Sequence, residues 1–280
     1  ESVFTMKKIF YILLALVMIQ SQAISKVHYA CQNIVPTKGN VIEKVTGVDF
    51  VERKGVEAII KQYLRFTLKS KVDFKLDTPN ARALRNGEFK SFTAKSKKIQ
   101  VDGVSISDFE AKSLCPYNKF LMKKDYIGFP YDIPVSFSAT LTNDDMNYMF
   151  KKMEEQNPEY LTLPLGKLSL AKISGLTWKT ENSKARIMFK IITPIVDTKV
   201  TYTTSFNIVN GKLSMGNSTS NLNAQMQKNV NRFLSKFNPF TQAVALAEDA
   251  QAQLEITHIL MQGDKIYVKG VFLIPRNCVI

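Results

Sequence analysis

Apolar and polar positions repeat along this chain with two different periods, and each change of period marks a predicted element. Residues 53–68 repeat apolar positions every three or four residues, which predicts an amphipathic helix. The polar side chains of this helix are placed on its opposite face: Glu57, Lys61, Gln62 and Arg65. The same spacing predicts two more helices, one after Thr142 and one that ends before Asn238-Pro239.

Segments with strict two-residue alternation predict strands, and several of them pair as hairpins. The clearest is 89–114, where two strand-like runs meet at Asp102-Gly103, a pair that suits a type I′ turn. Asn210-Gly211 and Gly263-Asp264 mark two more hairpins, and 135–141 reads as a half-buried strand. The order of helix, strands, helix, strands, helix, strands predicts an α+β fold.

The predicted helix starts carry short polar side chains. Thr142 and Asp145 fit a capping box, in which each side chain bonds the backbone N–H of the other residue. Asp144 and Asp145 also suit the positive end of the helix dipole, which favours a structural role over a catalytic or metal-binding carboxylate pair. Ser220 or Asn221 is expected to cap the third helix.

The segment 6–23 has the layout of a secretory signal peptide. Lys7 and Lys8 precede an unbroken apolar run, and small residues at 21–23 offer a cleavage site. The run is shorter than the roughly 20 residues with which a helix crosses a bilayer. Residues 1–23 are therefore assigned to a leader, and we expect export to the periplasm or cell envelope, or secretion.

The remainder of the chain divides by composition. Proline and glycine punctuate residues 24–52, which predicts an irregular N-terminal lead-in. Residues 53–275 are expected to form a single domain, followed by a short tail at 276–280.

The chain is strongly cationic, with a formal net charge of +14, and basic residues are concentrated between positions 61 and 98. Such a field attracts anionic lipid headgroups, nucleic acid or acidic polymers. For an exported protein the lipid is the favoured partner, and no nucleic-acid reading motif is present. A solvated charged face that keeps the protein soluble is the alternative.

The residues that most often carry chemistry are sparse. Cys31, Cys115 and Cys278 allow one disulfide and one free thiol in an oxidising compartment, with the pairing left open, and their spacing does not suit zinc. His258 shares an alternating face with Leu254, Ile256 and Leu260, which predicts a buried or pocket-wall histidine. With no nucleophile motif, phosphate loop or metal motif, we expect no enzyme, no metal and no cofactor.

Several segments together resemble the LmeA-like phospholipid-binding family of cell-envelope proteins. The resemblance rests on VDFKL at 72–76, the connection at 83–92, the hairpin KKIQVDGVSISDFEAKSL at 97–114 and SATLTNDDMNYMF at 138–150. It continues as a pattern through Asn210-Gly211, the helix at 222–234 and ITHILMQGDKIYVKG at 256–270, and covers about 53–273. Two features depart from the family pattern. Segments 117–134 and 158–170 look like insertions, and the density of lysines is high.

The resemblance implies an elongated fold in which a long, curved antiparallel sheet wraps around two or three helices. It also implies that phospholipid binds, with acyl chains in an apolar groove and a basic rim for the headgroup. The candidate lining is the apolar side of the three helices: Val56, Ile59, Ile60, Tyr63, Leu64, Met146, Met149, Phe150, Met153, Leu222, Met226, Val230, Phe233 and Leu234. The candidate headgroup or membrane contacts are basic: Arg65, Lys95, Lys97 and Lys98.

Two functions from different classes stay open at this point. The first is an exported phospholipid-binding or lipid-transfer protein that makes peripheral contact with the membrane. The second is a non-catalytic envelope protein that has a structural or interaction role and binds anionic polymer or a membrane surface through its basic face. For each apolar residue, ordinary core packing is the competing explanation.

Overall fold

The computed structural model describes residues 29–39, 48–101, 103–123, 126–156, 161–164, 170–209, 212–236 and 253–276. This part of the chain is an α+β structure of mainly antiparallel strands. Its four helices are α1 Val48–Leu68, α2 Ala81–Arg85, α3 Asn143–Gln156 and α4 Ala224–Lys236. Its strands are β1 Val72–Asp77, β2 Glu88–Phe89, β3 Ser91–Val101, β4 Val104–Ser113, β5 Asn118–Lys119, β6 Leu121–Lys123, β7 Tyr126–Gly128, β8 Ile133–Thr142, β9 Thr162–Pro164, β10 Leu170–Glu181, β11 Lys184–Ile192, β12 Asp197–Val209, β13 Lys212–Ser220, β14 Leu254–Gln262 and β15 Lys265–Ile274.

The strands divide between two main antiparallel sheets, where the family resemblance implied one long sheet. Sheet 1 has six strands in the order β1-β3-β4-β8-β15-β14, and sheet 2 has five in the order β13-β12-β11-β10-β9. Strand β14, at the edge of sheet 1, lies against β10, β12 and β13 of sheet 2. The buried apolar residues of both sheets and of α3 and α4 form one continuous cluster.

Strand β8 shows how the alternating pattern builds sheet 1. Val135, Phe137, Ala139 and Leu141 are buried, whereas the residues between them are only half-buried. The predicted half-buried strand is therefore confirmed. Because strand side chains alternate between faces, this register turns one face of sheet 1 toward the core and leaves the other polar.

The predicted hairpins are confirmed as strand pairs. Strands β3 and β4 meet at Val101 and Val104, and Gly103 has the positive φ of 87° that such a turn needs. Strands β12 and β13 pair as far as their ends and β14 pairs with β15, as predicted. Asp102 and the pair Asn210-Gly211 lie outside the described residues.

One hairpin was not predicted. Asn182 and Ser183 join β10 to β11 with φ angles of 51° and 58°, the two positive values of a type I′ turn. Asparagine tolerates this conformation, but serine is uncommon in the second position of a type I′ turn. The sequence therefore gave no clear signal for this hairpin.

Three helices close strand edges that have no further strand partner among the described residues. Strand β9 pairs only with residues 170–172 of β10, so the rest of that edge faces α3. There the backbone N–H of Leu176 donates to Glu154 Oε1 at 2.7 Å, that of Trp178 to Asn147 Oδ1 at 2.6 Å and that of Thr180 to Asn143 Oδ1 at 2.8 Å. Helix α1 accepts a hydrogen bond from β1, and α4 donates one to β13. These contacts satisfy backbone N–H and C=O groups at the strand edges that would otherwise be free to pair with another strand.

The start of α3 carries the predicted capping box. The Thr142 N–H donates to Asp145 Oδ2 at 2.8 Å, and the Asp145 N–H donates to Thr142 Oγ1 at 3.2 Å. The hydroxyls of Ser105 and Ser107 on β4 donate to the same carboxylate at 2.5 and 2.6 Å. Asp145 thus fixes the helix start to sheet 1, and the structural interpretation of this acid is supported.

Several boundaries differ from the prediction. Helix α1 begins at Val48 rather than at residue 53, and the short helix α2, capped by Asn80, lies in what was predicted to be a plain connection. Helix α4 is capped by Asn223, whose Oδ1 accepts from the Met226 N–H at 2.9 Å, so the assignment of the cap to Ser220 or Asn221 was wrong. Asn221 instead bonds the backbone of β12.

His258 is exposed, and the prediction of a buried or pocket-wall histidine was wrong. The register of β14 against β15 shifts between Ile256 and His258. This bulge inserts one extra residue, so Leu254 and Ile256 point inward whereas His258 and Leu260 point outward.

A disulfide ties the N-terminal segment to the body of the protein. Residues 29–39 form neither helix nor strand, in agreement with an irregular lead-in, and Cys31 is bonded to Cys115. The Thr37 N–H donates to Glu88 Oε2 at 2.8 Å, and Asn80 Nδ2 donates to the Thr37 carbonyl at 2.8 Å. The predicted signal peptide and Cys278 lie outside the described residues.

Candidate functional site

Helix α1 packs its inward face on strand β1, and this face is only half covered. Val56, Ile60, Tyr63 and Leu64 are half-buried there. Ile59, which was predicted to share this face, is 61% exposed, so its assignment to the apolar lining was wrong. At 100° per residue, position 59 lies on the outer side of a helix whose inward side is set by positions 56, 60 and 64.

Glu57 points inward, not outward as predicted. It is buried, its Oε1 accepts the backbone N–H of Leu76 at 2.9 Å, and its Oε2 lies 2.6 Å from Lys54 Nζ. Burial alone would raise the pKa of this carboxyl. The hydrogen bond from Leu76, the hydrogen bond and charge of Lys54 and the charge of Arg53 outweigh that effect and lower the pKa below its ordinary value.

A polar cleft of about 240 Å³ opens beside this carboxylate, between α1 and strands β1 and β3. Its wall is formed by eight residues: Arg53, Lys54, Glu57, Lys75, Leu76, Asp77, Ser91 and Thr93. Three of the side chains are cationic and two are acidic. Glu57 is already engaged by Lys54 and by a backbone N–H, which leaves Arg53 and Lys75 against Asp77 and gives the cleft one net positive charge.

Arg53 is the most distinctive side chain of the cleft. Its Nε is buried and has no hydrogen-bond partner among the described residues. Its guanidinium carbon lies 5.7 Å from the centroid of the Phe50 ring, and Lys54 Nζ lies 5.8 Å from the same centroid. A buried guanidinium donor with no acceptor suits an oxyanion such as a phosphate, which arginine binds through several N–H groups.

Sequence reasoning missed this cleft, although one signal was available. Arg53 lies three, seven and eleven residues before Val56, Ile60 and Leu64, so it belongs to the inward stripe of α1. A cation on a predicted apolar stripe is an anomaly that points to a partner. The contribution of Lys75 could not be foreseen, because it depends on which strand pairs beside the helix.

The predicted headgroup residues lie elsewhere. Lys95 and Lys97 are on the polar outer face of sheet 1, where Lys95 Nζ is 3.0 Å from Glu110 Oε2 and Lys97 is the cross-strand partner of Asp108. Lys98 and Arg65 are exposed. Lys95 and Lys97 share the outer face of sheet 1 with Lys75 and Thr93 of the cleft, but neither of them lines the cleft.

The predicted lining residues of α3 and α4 join the continuous apolar cluster. Their degree of burial falls into two classes. The fully buried ones are Met146, Met149, Phe150, Val230, Phe233 and Leu234. The half-buried ones are Met153, Leu222 and Met226. The interior is therefore tightly covered at residues 146–150 of α3 and more open at α1, at Met153 and around the start of α4.

Other chemistry is limited in the described part of the chain. No cluster of three or more metal-ligating side chains occurs among the described residues. Within those same residues, no helix is long and apolar enough to cross a membrane. No protein-family model, curated protein or solved structure matches this chain.

Proposed function

We propose that this chain is an exported phospholipid-binding or lipid-transfer protein of the cell envelope. The observation that carries the proposal is the cationic cleft at Arg53 and Lys75, which adjoins the half-buried apolar face of α1. An oxyanion in the cleft would accept a hydrogen bond from the buried Arg53 Nε. Acyl chains attached to that oxyanion would reach the apolar residues of α1.

The uneven cover of the apolar interior supports lipid entry at α1. Val56, Ile60 and Leu64 are half-buried, whereas Met146, Met149 and Phe150 of α3 are fully buried. Separating α1 from β1 therefore exposes less buried apolar surface than separating α3 from the sheets. An incoming acyl chain offsets that exposure by about 0.8 kcal/mol for each methylene it buries.

Two further points are in keeping with the proposal. A curved sheet wrapped around helices, as the LmeA-like resemblance implies, is the finer architecture that we propose for the two antiparallel sheets. The Cys31–Cys115 disulfide suits a protein that reaches an oxidising compartment, as the signal peptide predicts. The proposed function is non-catalytic and uses neither metal nor cofactor.

The alternative, an interaction protein that binds anionic polymer through the basic segment 61–98, has less support. Lys95 is paired with Glu110, Lys97 faces Asp108, and Lys61 Nζ lies 3.5 Å from Asp73 Oδ1. These carboxylates break the basic segment into a surface of alternating charge, which weakens its attraction for a polyanion.

The proposal is tested by native mass spectrometry of protein purified without detergent. We expect a bound phospholipid mass, and we expect Arg53→Gln combined with Lys75→Gln to lower its occupancy. Lys95→Gln combined with Lys97→Gln removes the same charge outside the cleft and is the matched control. Arg53→Lys, which keeps the charge but loses the fork of donors, should retain part of the occupancy.

The result that would refute the proposal is equally concrete. Wild-type protein that carries no lipid mass, and takes up none after incubation with phosphatidylglycerol, is not a phospholipid-binding protein. Equal loss in the cleft variant and in the control variant would place the headgroup elsewhere. Circular dichroism of each variant verifies that the fold is retained.

A further inference from the structure

The outer face of sheet 2 carries a concentration of cations that the charge pattern between residues 61 and 98 does not include. Its exposed lysines come from three neighbouring strands: Lys172, Lys179, Lys184, Lys190 and Lys199. The only acidic residues in the five strands are Glu181 and Asp197. Glu181 is already paired with Arg186, whose NH1 lies 2.8 Å from its Oε2.

Strand register places like charges directly opposite one another on this face. Lys190 of β11 is the cross-strand partner of Lys199 of β12, and Lys179 of β10 is the partner of Arg186 of β11. Like charges in directly opposed positions destabilise a sheet. Sheet 1 does the opposite, since it sets Lys95 against Glu110. The arrangement on sheet 2 therefore suits an anionic partner rather than the stability of the sheet.

The turn between β11 and β12 adds an apolar tip at the end of sheet 2 that carries Lys172, Lys190 and Lys199. Ile195 is 95% exposed and Val196 is 59% exposed. Thr193 fixes the turn, because its hydroxyl donates to the Val196 carbonyl at 2.7 Å and accepts the Val196 N–H at 3.0 Å. The tip is thus held in one shape with its aliphatic side chains in solvent.

The combination distinguishes between anionic partners. A nucleic acid or acidic polymer would be attracted by the lysines but offers no reason to keep Ile195 and Val196 exposed. A bilayer suits both features, because its headgroup phosphates attract the lysines and its acyl region accepts the exposed aliphatic side chains. We propose that the outer face of sheet 2 and the Thr193–Val196 turn form a docking surface for an anionic lipid bilayer.

This inference rests on the proposed function and deepens it, since docking would bring a lipid-binding protein to its source of lipid. The surface is separate from the cleft at Arg53, because no residue is shared between them. Docking and lipid occupancy can accordingly be measured and lost independently.

The test is flotation of the purified protein with vesicles of phosphatidylcholine alone or of phosphatidylcholine and phosphatidylglycerol in equal parts. We expect binding to the anionic vesicles that weakens as salt is raised, and little binding to the neutral ones. Lys190→Gln combined with Lys199→Gln should weaken binding roughly thirtyfold, from the usual contribution of two lysines near an anionic surface. Ile195→Ser should weaken it roughly tenfold through loss of one buried aliphatic side chain.

Two control variants match these changes. Lys95→Gln combined with Lys97→Gln removes two lysines from the outer face of sheet 1. Val209→Ser changes a 53% exposed aliphatic residue at the opposite end of β12. Both should bind anionic vesicles as the wild type does. All substituted residues are exposed, and the emission of Trp178 reports whether each variant is folded.

Three outcomes would overturn the inference. One is a wild type that does not float with anionic vesicles, and another is a sheet 2 variant that binds no worse than its control. The third is loss of vesicle binding in the lysine variant with none in Ile195→Ser, which would show that the apolar tip does not enter the bilayer and that charge alone accounts for the binding. A lipid mass that persists when docking is lost leaves the proposed function intact, whereas docking without any bound lipid refutes the proposed function alone.

Discussion

The contact between α3 and the open edge of β10 leads to a prediction that can be tested directly. Asn147 bridges both backbone groups of one residue, because its Oδ1 accepts the Trp178 N–H at 2.6 Å and its Nδ2 donates to the Trp178 carbonyl at 3.1 Å. Asn147→Ala removes both partners and leaves two backbone groups in a partly buried position. Each such group costs about 1–2 kcal/mol, so the free energy of unfolding should fall by about 2–4 kcal/mol.

The assay uses the single tryptophan of the chain, which is Trp178 itself. Trp178 is 3% exposed, and its ring stacks on that of Phe206 with centroids 5.9 Å apart. Its emission should therefore shift to longer wavelength when the contact between the helix and the strand is lost. Urea or thermal unfolding followed by this emission reports the local structure, while far-ultraviolet circular dichroism reports the whole protein. A loss of this size should lower the Tm by roughly 4–16 °C.

Two companion variants make the result specific. Asn147→Asp keeps an acceptor for the N–H but sets an oxygen against the carbonyl, so it should not restore stability. Lys151→Ala lies one turn further along the same helix, where its nearest carboxylate oxygen on Glu155 is 4.0 Å away, and should change stability by less than about 0.5 kcal/mol. An Asn147→Ala protein as stable as Lys151→Ala would refute the idea that side chains of α3 close this edge.

Three other predictions concern single contacts. Because the pKa of Glu57 is lowered, its charged form stabilises the fold above about pH 4.5, the ordinary value, and this stabilisation is lost as pH falls through the folded-state pKa. The free energies of unfolding of the wild type and of Glu57→Gln, measured in urea, should therefore converge toward low pH. Two parallel pH profiles would contradict this. Removing the disulfide with Cys31→Ser and Cys115→Ser should lower the free energy of unfolding by about 4.5 kcal/mol, from the entropy of a loop with a sequence separation of 84. An unchanged urea midpoint would show that the bond does not constrain the unfolded chain. Asp145→Asn should lower the free energy of unfolding in urea by about 2–3 kcal/mol, because an amide N–H would face the hydroxyl and N–H donors that the carboxylate now accepts from. The neighbouring exposed Asp144→Asn should leave that free energy nearly unchanged.

Local instructions in the sequence predicted much of the fold. Asp102-Gly103 and Gly263-Asp264 marked real hairpins, and Thr142 with Asp145 marked the start of α3, because each depends on side chains only a few residues apart. The division into two sheets could not be predicted in the same way. It depends on which strands remain unpaired, and alternation alone does not specify a strand's neighbour.

The candidate site was predicted less well, for reasons of geometry. The lysines chosen as headgroup contacts were selected for charge density, but Lys95 and Lys97 stand opposite Glu110 and Asp108 and do not line the cleft. Glu57 and Ile59 were each assigned to the wrong side of α1, because apolar character is a poor guide when a helix buries a carboxylate to close a strand edge. The burial of His258 was predicted wrongly because a β-bulge reverses which residues of the strand point inward, and nothing in the composition of β14 marks the bulge.

The Cys31–Cys115 bond encloses α1, β1, α2, β2, β3 and β4 within one covalent loop. Helix α1 is therefore anchored on both sides, by the bond on one and by the short connection to β1 on the other. If it separates from the sheet to admit a lipid, it remains within reach of its own binding surface, and reclosure is a first-order local event. The connection at 69–71 tethers α1 to β1 even without the disulfide. A reducing agent should therefore lower the stability of the fold, whereas reclosure of the helix stays an event within one chain and faster than folding.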